Sequence, residues 1–207
     1  MNDYLYKLEQ FLIEDLKKIE NIKILEFGVR KGVSTKLFLE IVKLKNGRLY
    51  SVDIDDCSNL FNDKNWKFFK TRDDNFEYIK KNIPEQLDVI YLDSVHEAKH
   101  VEKIFYNYYN FLKVGGYFII DDISHLPYLK NNLRNNFFNE INNQETFKKI
   151  LDIYNSNYNN FDLIFSFVSS GMAKIIKKKD SSLNINKKII SRENSIKNFL
   201  RLILKNL

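Results

Sequence analysis

The chain has 207 residues, which is enough for one domain with a sizeable core and short for two. Hydrophobic residues make up 44% of it, with only 2 prolines and 6 glycines, and this composition excludes a disordered or fibrous chain. The formal charge of +6 lies in the C-terminal tail: residues 174–207 hold ten lysines and arginines against two acidic residues, so residues 1–173 carry a net charge of −2 and no nucleic acid partner is expected.

The first predicted element is an amphipathic helix within residues 1–20. Short apolar runs follow, each with a polar loop and a helical pattern behind it, and they are typical of parallel strands covered by helices on both faces. Right-handed crossovers between such strands predict a doubly wound α/β sheet. The helix has apolar residues at Leu5, Leu8, Leu12, Leu16 and Ile19, and the runs lie at residues 22–27, 49–52, 66–69, 89–92 and 117–120.

The C-terminal half of the predicted sheet has its own signals. A helical pattern before the fifth strand is predicted to end at Gly115-Gly116, which suits a left-handed helix cap. Residues 162–168 and 172–176 are β-like, and Ser169-Ser170-Gly171 between them predicts a hairpin loop. The predicted fold is therefore a mostly parallel seven-stranded sheet with a final antiparallel hairpin.

The loop after the first strand is the first candidate binding site. From Glu26 onward, two glycines, Gly28 and Gly32, precede a predicted helix with Ser34 in its first turn, so the backbone can approach a ligand closely. A simple tight turn would explain the glycines about equally well. Arg30 stands at the second glycine position of the G-x-G-x-x-G loop of dinucleotide-binding proteins, which places nicotinamide chemistry second.

Two further carboxylates fit a ligand that contains adenosine. Asp53 ends the second predicted strand, 25 positions after Gly28, near the spacing at which an acidic residue accepts hydrogen bonds from a ribose. Asp73 follows the third strand and suits either an adenine amino group or the cap of the next helix. An adenosine pocket is therefore predicted at this edge of the sheet.

The fourth and fifth strands both end in acidic residues. Asp93 ends the fourth strand with His96 three residues later, and Asp121-Asp122 ends the fifth. The carboxyl ends of parallel strands share one crevice, so these side chains should converge. Neighbouring strand residues point to opposite faces, so Asp121 and Asp122 converge only if the strand ends between them, which we expect. Crowded carboxylates repel each other unless a cation joins them, and hard oxygen ligands suit Mg²⁺ or Mn²⁺.

With Glu26-x-Gly28, Asp53 and Gly115-Gly116, residues 20–178 resemble the class I S-adenosylmethionine-dependent methyltransferases, which have a Rossmann-like sheet. The Asp-x-x-His and Asp-Asp pairs resemble more narrowly the metal-dependent sugar O-methyltransferases of the macrocin and mycinamicin type. This resemblance implies S-adenosylmethionine as the methyl donor. It assigns cofactor contacts to Glu26, Gly28, Arg30, Gly32, Ser34, Asp53, Asp73 and Asp93.

The same resemblance assigns a metal and a base. Asp93, Asp121 and Asp122 would hold Mg²⁺ or Mn²⁺, and His96 would take the proton of an acceptor hydroxyl. The pKa of a sugar hydroxyl lies about 9 units above that of a free histidine, so deprotonation by histidine alone costs about 12 kcal/mol. A bound cation lowers the pKa of a coordinated oxygen by many units. The predicted function is Mg²⁺-assisted O-methylation of a small molecule, and by resemblance of a sugar or polyol.

Three alternatives stay open at this point. In the first, His96 is a loop residue and Asp121-Asp122 caps the next helix, and no metal is bound. An iron oxygenase related to the cephalosporin hydroxylases would need two histidines and a carboxylate, for which His96, His125 and Asp93 are weakly spaced candidates. A non-catalytic protein would keep the cofactor pocket and use its basic tail for partners.

The tail is predicted to be separate from the methyltransferase domain, which spans residues 1–178. Residues 179–207 form a basic linker and an amphipathic helix that packs on its own domain, joins a second copy or lies on an anionic membrane. The single cysteine, Cys57, allows no internal disulfide, and no apolar run of about 18 residues or signal-like N-terminus is present. We expect a cytoplasmic protein, peripheral at the membrane if the helix binds lipid. The apolar stripe of the helix is Ile196, Phe199, Leu200, Ile203, Leu204 and Leu207.

Overall fold

The computed structural model describes residues 3–84, 86–124, 137–185 and 195–205. Its centre is a seven-stranded sheet with the strand order β3-β2-β1-β4-β5-β7-β6. The first five strands are parallel, and β7 pairs antiparallel with both β5 and β6, which confirms the predicted sheet and its final hairpin. The strands are β1 (Lys23–Phe27), β2 (Arg48–Asp53), β3 (Trp66–Lys70), β4 (Leu87–Leu92), β5 (Leu112–Asp121), β6 (Phe161–Ser166) and β7 (Met172–Lys177).

Helices cover both faces of this sheet. The leading helix consists of α1 (Asp3–Leu8), a π-helical segment (Glu9–Ile13) and α2 (Glu14–Leu16). Among the described residues, no helix has the length and apolarity that crossing a membrane requires. The other helices are α3 (Val33–Leu44), α4 (Phe76–Asn82), α5 (Ala98–Tyr108), α6 (Phe137–Asn157) and α7 (Ile196–Lys205), with a 3₁₀ turn (Tyr109–Phe111) after α5.

Two apolar clusters explain why the strands read as continuous apolar runs. The leading helix and α3 pack on one face of the sheet, where Tyr91 of β4 is fully buried. Helices α5 and α6 pack on the other face, where the neighbouring residue Ile90 is equally buried. Alternate residues of one strand therefore enter opposite clusters, and both must be apolar or aromatic.

The prediction that Gly115-Gly116 caps a helix was wrong. Helix α5 ends at Tyr108, and both glycines lie inside β5. Leu87 of β4 pairs with Leu112, but Val89 already pairs with Tyr117, so β5 holds extra residues in a bulge. Gly115 has φ +84, and a Cβ on Gly116 would lie 2.9 Å from the Asp88 carbonyl oxygen. The glycine pair is required by this bulge and not by a helix end.

The last strand of the sheet ends close to the predicted domain boundary. Strand β7 ends at Lys177, and α7 follows from Ile196. The division of the chain into a domain of residues 1–178 and a tail stays a prediction.

Candidate active site

The carboxyl ends of the parallel strands surround two adjoining clefts. The larger has a volume of about 640 Å³, and the smaller has about 220 Å³. Of the predicted site residues, Gly28, Arg30 and Asp93 line both clefts. Ser34, His96 and Asp122 line only the larger cleft, whereas Asp53 and Asp73 line only the smaller one. Glu26, Gly32 and Asp121 line neither.

Glu26 supports the first loop from beneath. Its carboxylate is fully buried and accepts hydrogen bonds from Ser34 Oγ at 2.6 Å, Thr35 Oγ1 at 2.9 Å and Ser51 Oγ at 2.7 Å. Burial raises the pKa of Glu26 to about 7, against the lowering effect of these three hydroxyls. The carboxylate thus ties the start of α3 to β1 and β2 from inside the protein.

Backbone conformation and close packing explain the two glycines of this loop. Gly28 has φ +93, and a Cβ there would lie 2.0 Å from the carbonyl oxygen of Asp93. Strands β1 and β4 therefore approach each other more closely than any side chain at this position allows. Gly32 has φ +72 directly before the first residue of α3. These contacts add a structural role to the predicted cofactor contact, which stays a prediction.

Asp53 holds the loop from the end of β2. Its Oδ2 accepts the backbone N–H groups of Val29 at 2.7 Å and Arg30 at 2.9 Å, and its Oδ1 accepts that of Asp55 at 2.9 Å. Arg30 itself is exposed and has φ +50. Asp53 therefore shapes the loop and also fronts the smaller cleft, where a ribose was predicted.

Asp73 sits in the wall of the smaller cleft. Burial alone would raise its pKa, but hydrogen bonds from His100 Nε2, at 2.8 Å, and from Ser94 Oγ keep the pKa below its usual value. The reading of Asp73 as a helix cap was wrong, because α4 begins at Phe76 and Asn75 precedes it as the cap residue. The predicted adenine contact of Asp73 stays a prediction.

His96 lies between two of the predicted metal ligands. Its Nε2 is 3.7 Å from Asp93 Oδ1 and 3.4 Å from Asp122 Oδ2, and one ligand atom of each residue lies within 4.8 Å of the others. Strand β5 ends at Asp121, as expected, and Asp122 has φ +57, which turns the chain away from the strand direction. In the described ranges, His96 is the one basic side chain within 4.0 Å of the Asp93 and Asp122 carboxylates.

Asp121 is separated from this cluster. Its carboxylate is buried on the face covered by the leading helix, where it forms an ion pair with Lys7 Nζ and accepts the Tyr91 hydroxyl at 2.7 Å. Lys7 is equally buried and also donates to Ser170 Oγ at 2.7 Å. The geometry thus supports two of the three predicted metal ligands. Asp121 instead has a protein cation as its partner.

A chain of hydroxyl contacts links Asp121 to Asp93. Tyr91 contacts Tyr4 Oη at 2.9 Å, and Tyr4 contacts Asp93 Oδ2 at 2.9 Å. Together with the contact of Tyr91 to Asp121, the chain has three oxygen–oxygen contacts. The two tyrosine hydroxyls supply only two protons, so all three contacts are hydrogen bonds only when one of the two carboxyl groups is protonated. Burial, followed by the charges of Asp121 and Asp122, raises the pKa of Asp93. Asp93 is therefore the group that would hold this proton, and a cation that binds Asp93 would displace the proton into solvent.

Sequence reasoning missed the contribution of the leading helix. Tyr4 and Lys7 are three residues apart and therefore share a helix face with the apolar stripe that packs on the sheet. The sequence signal that could have shown this is the presence of two polar residues, Tyr4 and Lys7, on the helix face that packs on the sheet. Tyr91 was also missed, although it lies two residues before Asp93 and so points to the same side of β4. His125, an alternative iron ligand, lies outside the described residues.

The donor set fits a divalent cation. Asp93 and Asp122 offer hard carboxylate oxygens, which Mg²⁺ and Mn²⁺ prefer, and His96 lies beside them. Two carboxylates balance the charge of one divalent ion. A two-histidine oxygenase site would need a second histidine, and the described cluster contains one.

The first part of the sheet is similar to a known protein family. Residues 25–123 match a family model described as a methyltransferase domain. No curated protein matches the chain in sequence. The matched range begins in β1 and ends just after the acidic pair, so it contains all of the predicted cofactor, metal and base residues.

Solved structures share the fold at low sequence identity. The MycE methyltransferase from the mycinamycin biosynthetic pathway, in complex with Mg, SAH and mycinamycin VI, has 18% identity and a TM-score of 0.59, over 88% of this chain and 51% of that one. The SAH-bound methyltransferase PaMTH1 of Podospora anserina has 17% identity and a TM-score of 0.63, over 81% and 76%. The chain thus spans about half the length of MycE, and the likeness shows the Rossmann-like methyltransferase fold.

Proposed function

From the match of residues 25–123 to a methyltransferase domain model and from the shared fold, we propose that the chain transfers the methyl group of S-adenosylmethionine to a hydroxyl of a small molecule. The proposal includes a divalent cation, Mg²⁺ or Mn²⁺, bound beside His96. The single observation that carries it is the grouping of Asp93, His96 and Asp122 in the larger cleft, directly next to the smaller cleft that Asp53 and Asp73 line.

The smaller cleft is the proposed site of the adenosine part of the methyl donor. Asp53 fronts this cleft while it fixes the loop, so its position does not depend on the ligand. Asp73 is held in the same way by His100 and Ser94. Preorganised carboxylates of this kind bind ribose and adenine groups without the cost of ordering them. Arg30 and Lys31, at the rim of the larger cleft, suit the carboxylate of the methionine part.

His96 is the proposed general base. His96 lines the larger cleft, and its backbone carbonyl accepts a hydrogen bond from Thr146 Oγ1 of α6 at 3.0 Å, which fixes the loop that carries it. The methyl donor supplies an electrophilic methyl group when bound, and the sulfur keeps the electron pair of the broken bond. The acceptor oxygen forms the new bond to carbon, and its proton moves to His96.

Asp93 and Asp122 are the proposed ligands of the cation. A divalent cation bound there would lower the pKa of a coordinated hydroxyl toward the range of an imidazole base. Asp122 has a positive φ directly after β5, and the half-buried Asp93 accepts a hydrogen bond from the Tyr4 hydroxyl, so both carboxylates are positioned by the backbone or a neighbour. Two oxygens of one acceptor would be held more firmly than one, which favours vicinal hydroxyls.

A sugar or another polyol is the acceptor class that we propose. Polar and charged side chains line much of the larger cleft, among them Tyr4, Arg30, Ser34 and His96. Such a lining suits a ligand with many hydroxyls better than an apolar one. The resemblance to the sugar O-methyltransferases described above agrees with this choice.

The test is a turnover assay that measures S-adenosylhomocysteine from S-adenosylmethionine. A panel of monosaccharides, nucleotide sugars and catechol is supplied with Mg²⁺, with Mn²⁺, and with excess chelator. We expect turnover with a sugar that chelator abolishes and added metal restores, and that His96→Ala reduces at least 100-fold. Turnover that is unchanged in chelator would contradict the metal, and turnover with catechol alone would contradict the acceptor class.

A further inference from the structure

Helix α7 presents an apolar face that its own domain does not cover. None of its described residues is buried, and the exposed fractions of its large apolar side chains run from 44% for Ile203 to 81% for Ile196. Contiguous apolar surfaces of this kind are rare on soluble proteins and mark binding surfaces. The apolar residues of this face are Ile196, Phe199, Leu200, Leu202, Ile203 and Leu204.

The rest of the helix is basic. Lys197, Arg201 and Lys205 recur every four residues and so form one stripe along the edge of the apolar face. The sequence of α7, IKNFLRLILK, contains no acidic residue. Residues 186–195, which precede it in the sequence, add three basic residues, Lys187, Lys188 and Arg192, and one acidic residue, Glu193. The surface is therefore both apolar and cationic along its full length.

Charge distinguishes among the partners that an apolar face could have. A second copy of α7 would bring an equally cationic surface, and no acidic residue on the helix could compensate for the repulsion. Nucleic acid would match the charge but would leave the large apolar face without a partner. A bilayer with anionic headgroups offers an apolar layer and negative charge at adjacent depths.

We propose that α7 binds an anionic membrane surface, lying in the plane of the bilayer. Its apolar face enters the boundary between headgroups and acyl chains, and Lys197, Arg201 and Lys205 stay at the level of the headgroups. Each basic residue near such a surface adds about fivefold to the binding constant, so the three together add about 100-fold. This attachment is independent of the methyl transfer proposed above.

The experiment is vesicle flotation of the full chain. Vesicles of phosphatidylcholine alone are compared with vesicles that contain about 30% phosphatidylglycerol. We expect flotation with the anionic vesicles and not with the neutral ones, and release at high salt because the headgroup attraction is screened. Flotation that is absent, or equal for both compositions, would overturn the proposal.

Variants of α7 separate the two components of the surface. Leu200→Gln with Ile203→Gln removes the centre of the apolar face, and replacement of Lys197, Arg201 and Lys205 by Gln removes the charge; each set should lower vesicle binding about 100-fold. The matched controls are Leu44→Gln with Val114→Gln, and Gln at Lys36, Lys81 and Lys148, which are exposed elsewhere and should leave binding unchanged.

A second readout keeps the proposal distinct from its alternatives. Sedimentation velocity should give the same mass for wild type and for Leu200→Gln with Ile203→Gln. If these changes instead dissociate a dimer and leave flotation intact, a second copy occupies the face and the membrane proposal is wrong. Vesicle binding that survives both sets of α7 variants would also overturn it.

Discussion

The carboxylates at the carboxyl edge of the sheet have different surroundings in its two halves. In the cofactor half, Glu26, Asp53 and Asp73 accept hydrogen bonds from hydroxyls, backbone N–H groups and His100. In the acidic half, Asp93 and Asp122 face each other across His96, and burial with mutual repulsion raises the pKa of Asp93. Carboxylates of the first half are satisfied by the protein and preorganise a loop. Those of the second half repel each other, and an external cation that displaces the proton of Asp93 would relieve this repulsion.

Asp121 lies beside Asp122 in the sequence but is satisfied by the protein, like the carboxylates of the cofactor half. It belongs to the acidic pair in sequence, but Lys7 of the leading helix neutralises it inside the protein. A buried carboxylate with a buried ammonium partner is a structural pair, whereas Asp122, one residue later, faces the cleft. Adjacent residues therefore have different roles, and variants in both halves of the edge test them.

The largest expected effect is that of His96→Ala on turnover. Loss of a general base should lower the rate by about 10²- to 10⁴-fold. Binding of S-adenosylmethionine should stay within about twofold, because the adenosine cleft is lined by other residues. Steady-state kinetics and calorimetry measure the two quantities. A variant that loses cofactor binding and turnover together would place His96 in the cofactor half.

Lys7→Met should destabilise the fold by about 3 to 5 kcal/mol, because it leaves the carboxylate of Asp121 buried without its cation. Lys7→Met combined with Asp121→Asn should recover most of this loss, since no unpaired charge remains and Tyr91 keeps an acceptor. Lys17→Met, at an exposed lysine beside Glu14, is the control and should change the free energy of unfolding by less than about 1 kcal/mol. Urea unfolding measures all three. No recovery in the double variant would argue that Asp121 has another role.

Glu26 should make the stability depend on pH in a defined direction. Its pKa rises from 4.5 to about 7 on folding, so the wild type has no penalty at low pH and loses up to about 3 kcal/mol as the pH rises through this window. Glu26→Gln has no such group. The free energy of unfolding of the wild type, relative to Glu26→Gln, should therefore fall between pH 4.5 and pH 7 and stay level above it. A difference that does not change with pH contradicts a raised pKa.

The smallest expected effect is that of Tyr4→Phe. It removes the hydroxyl that joins Asp93 to Tyr91 and should lower the free energy of unfolding by about 1 kcal/mol. Tyr6→Phe, at an exposed tyrosine of the same helix, should have no measurable effect. Thermal unfolding of both variants makes the comparison. Equal behaviour of the two would mean that the hydroxyl chain adds nothing to stability.

Much of the fold and part of the site could be predicted from the sequence, for identifiable reasons. Parallel strands buried on both faces leave apolar runs, and their carboxyl ends meet at one edge, which places Asp53, Asp93 and Asp122 near the clefts. The partner of Asp121 could not be predicted, because Lys7 reaches it only through the docking of a helix that is distant in sequence. The bulge at Gly115-Gly116 was missed because the same glycines also suit a helix end.

The most direct test is a crossed pair of calorimetric titrations, with S-adenosylmethionine and with Mg²⁺ or Mn²⁺. We expect the wild type to bind both ligands, Asp53→Ala to lose at least tenfold in affinity for S-adenosylmethionine only, and Asp122→Asn to lose at least tenfold in affinity for the metal only. Asp56→Asn, at an exposed carboxylate near the same loop, should bind both like the wild type. A wild-type protein that binds neither S-adenosylmethionine nor S-adenosylhomocysteine would contradict the account, and so would equal loss of both ligands in both variants.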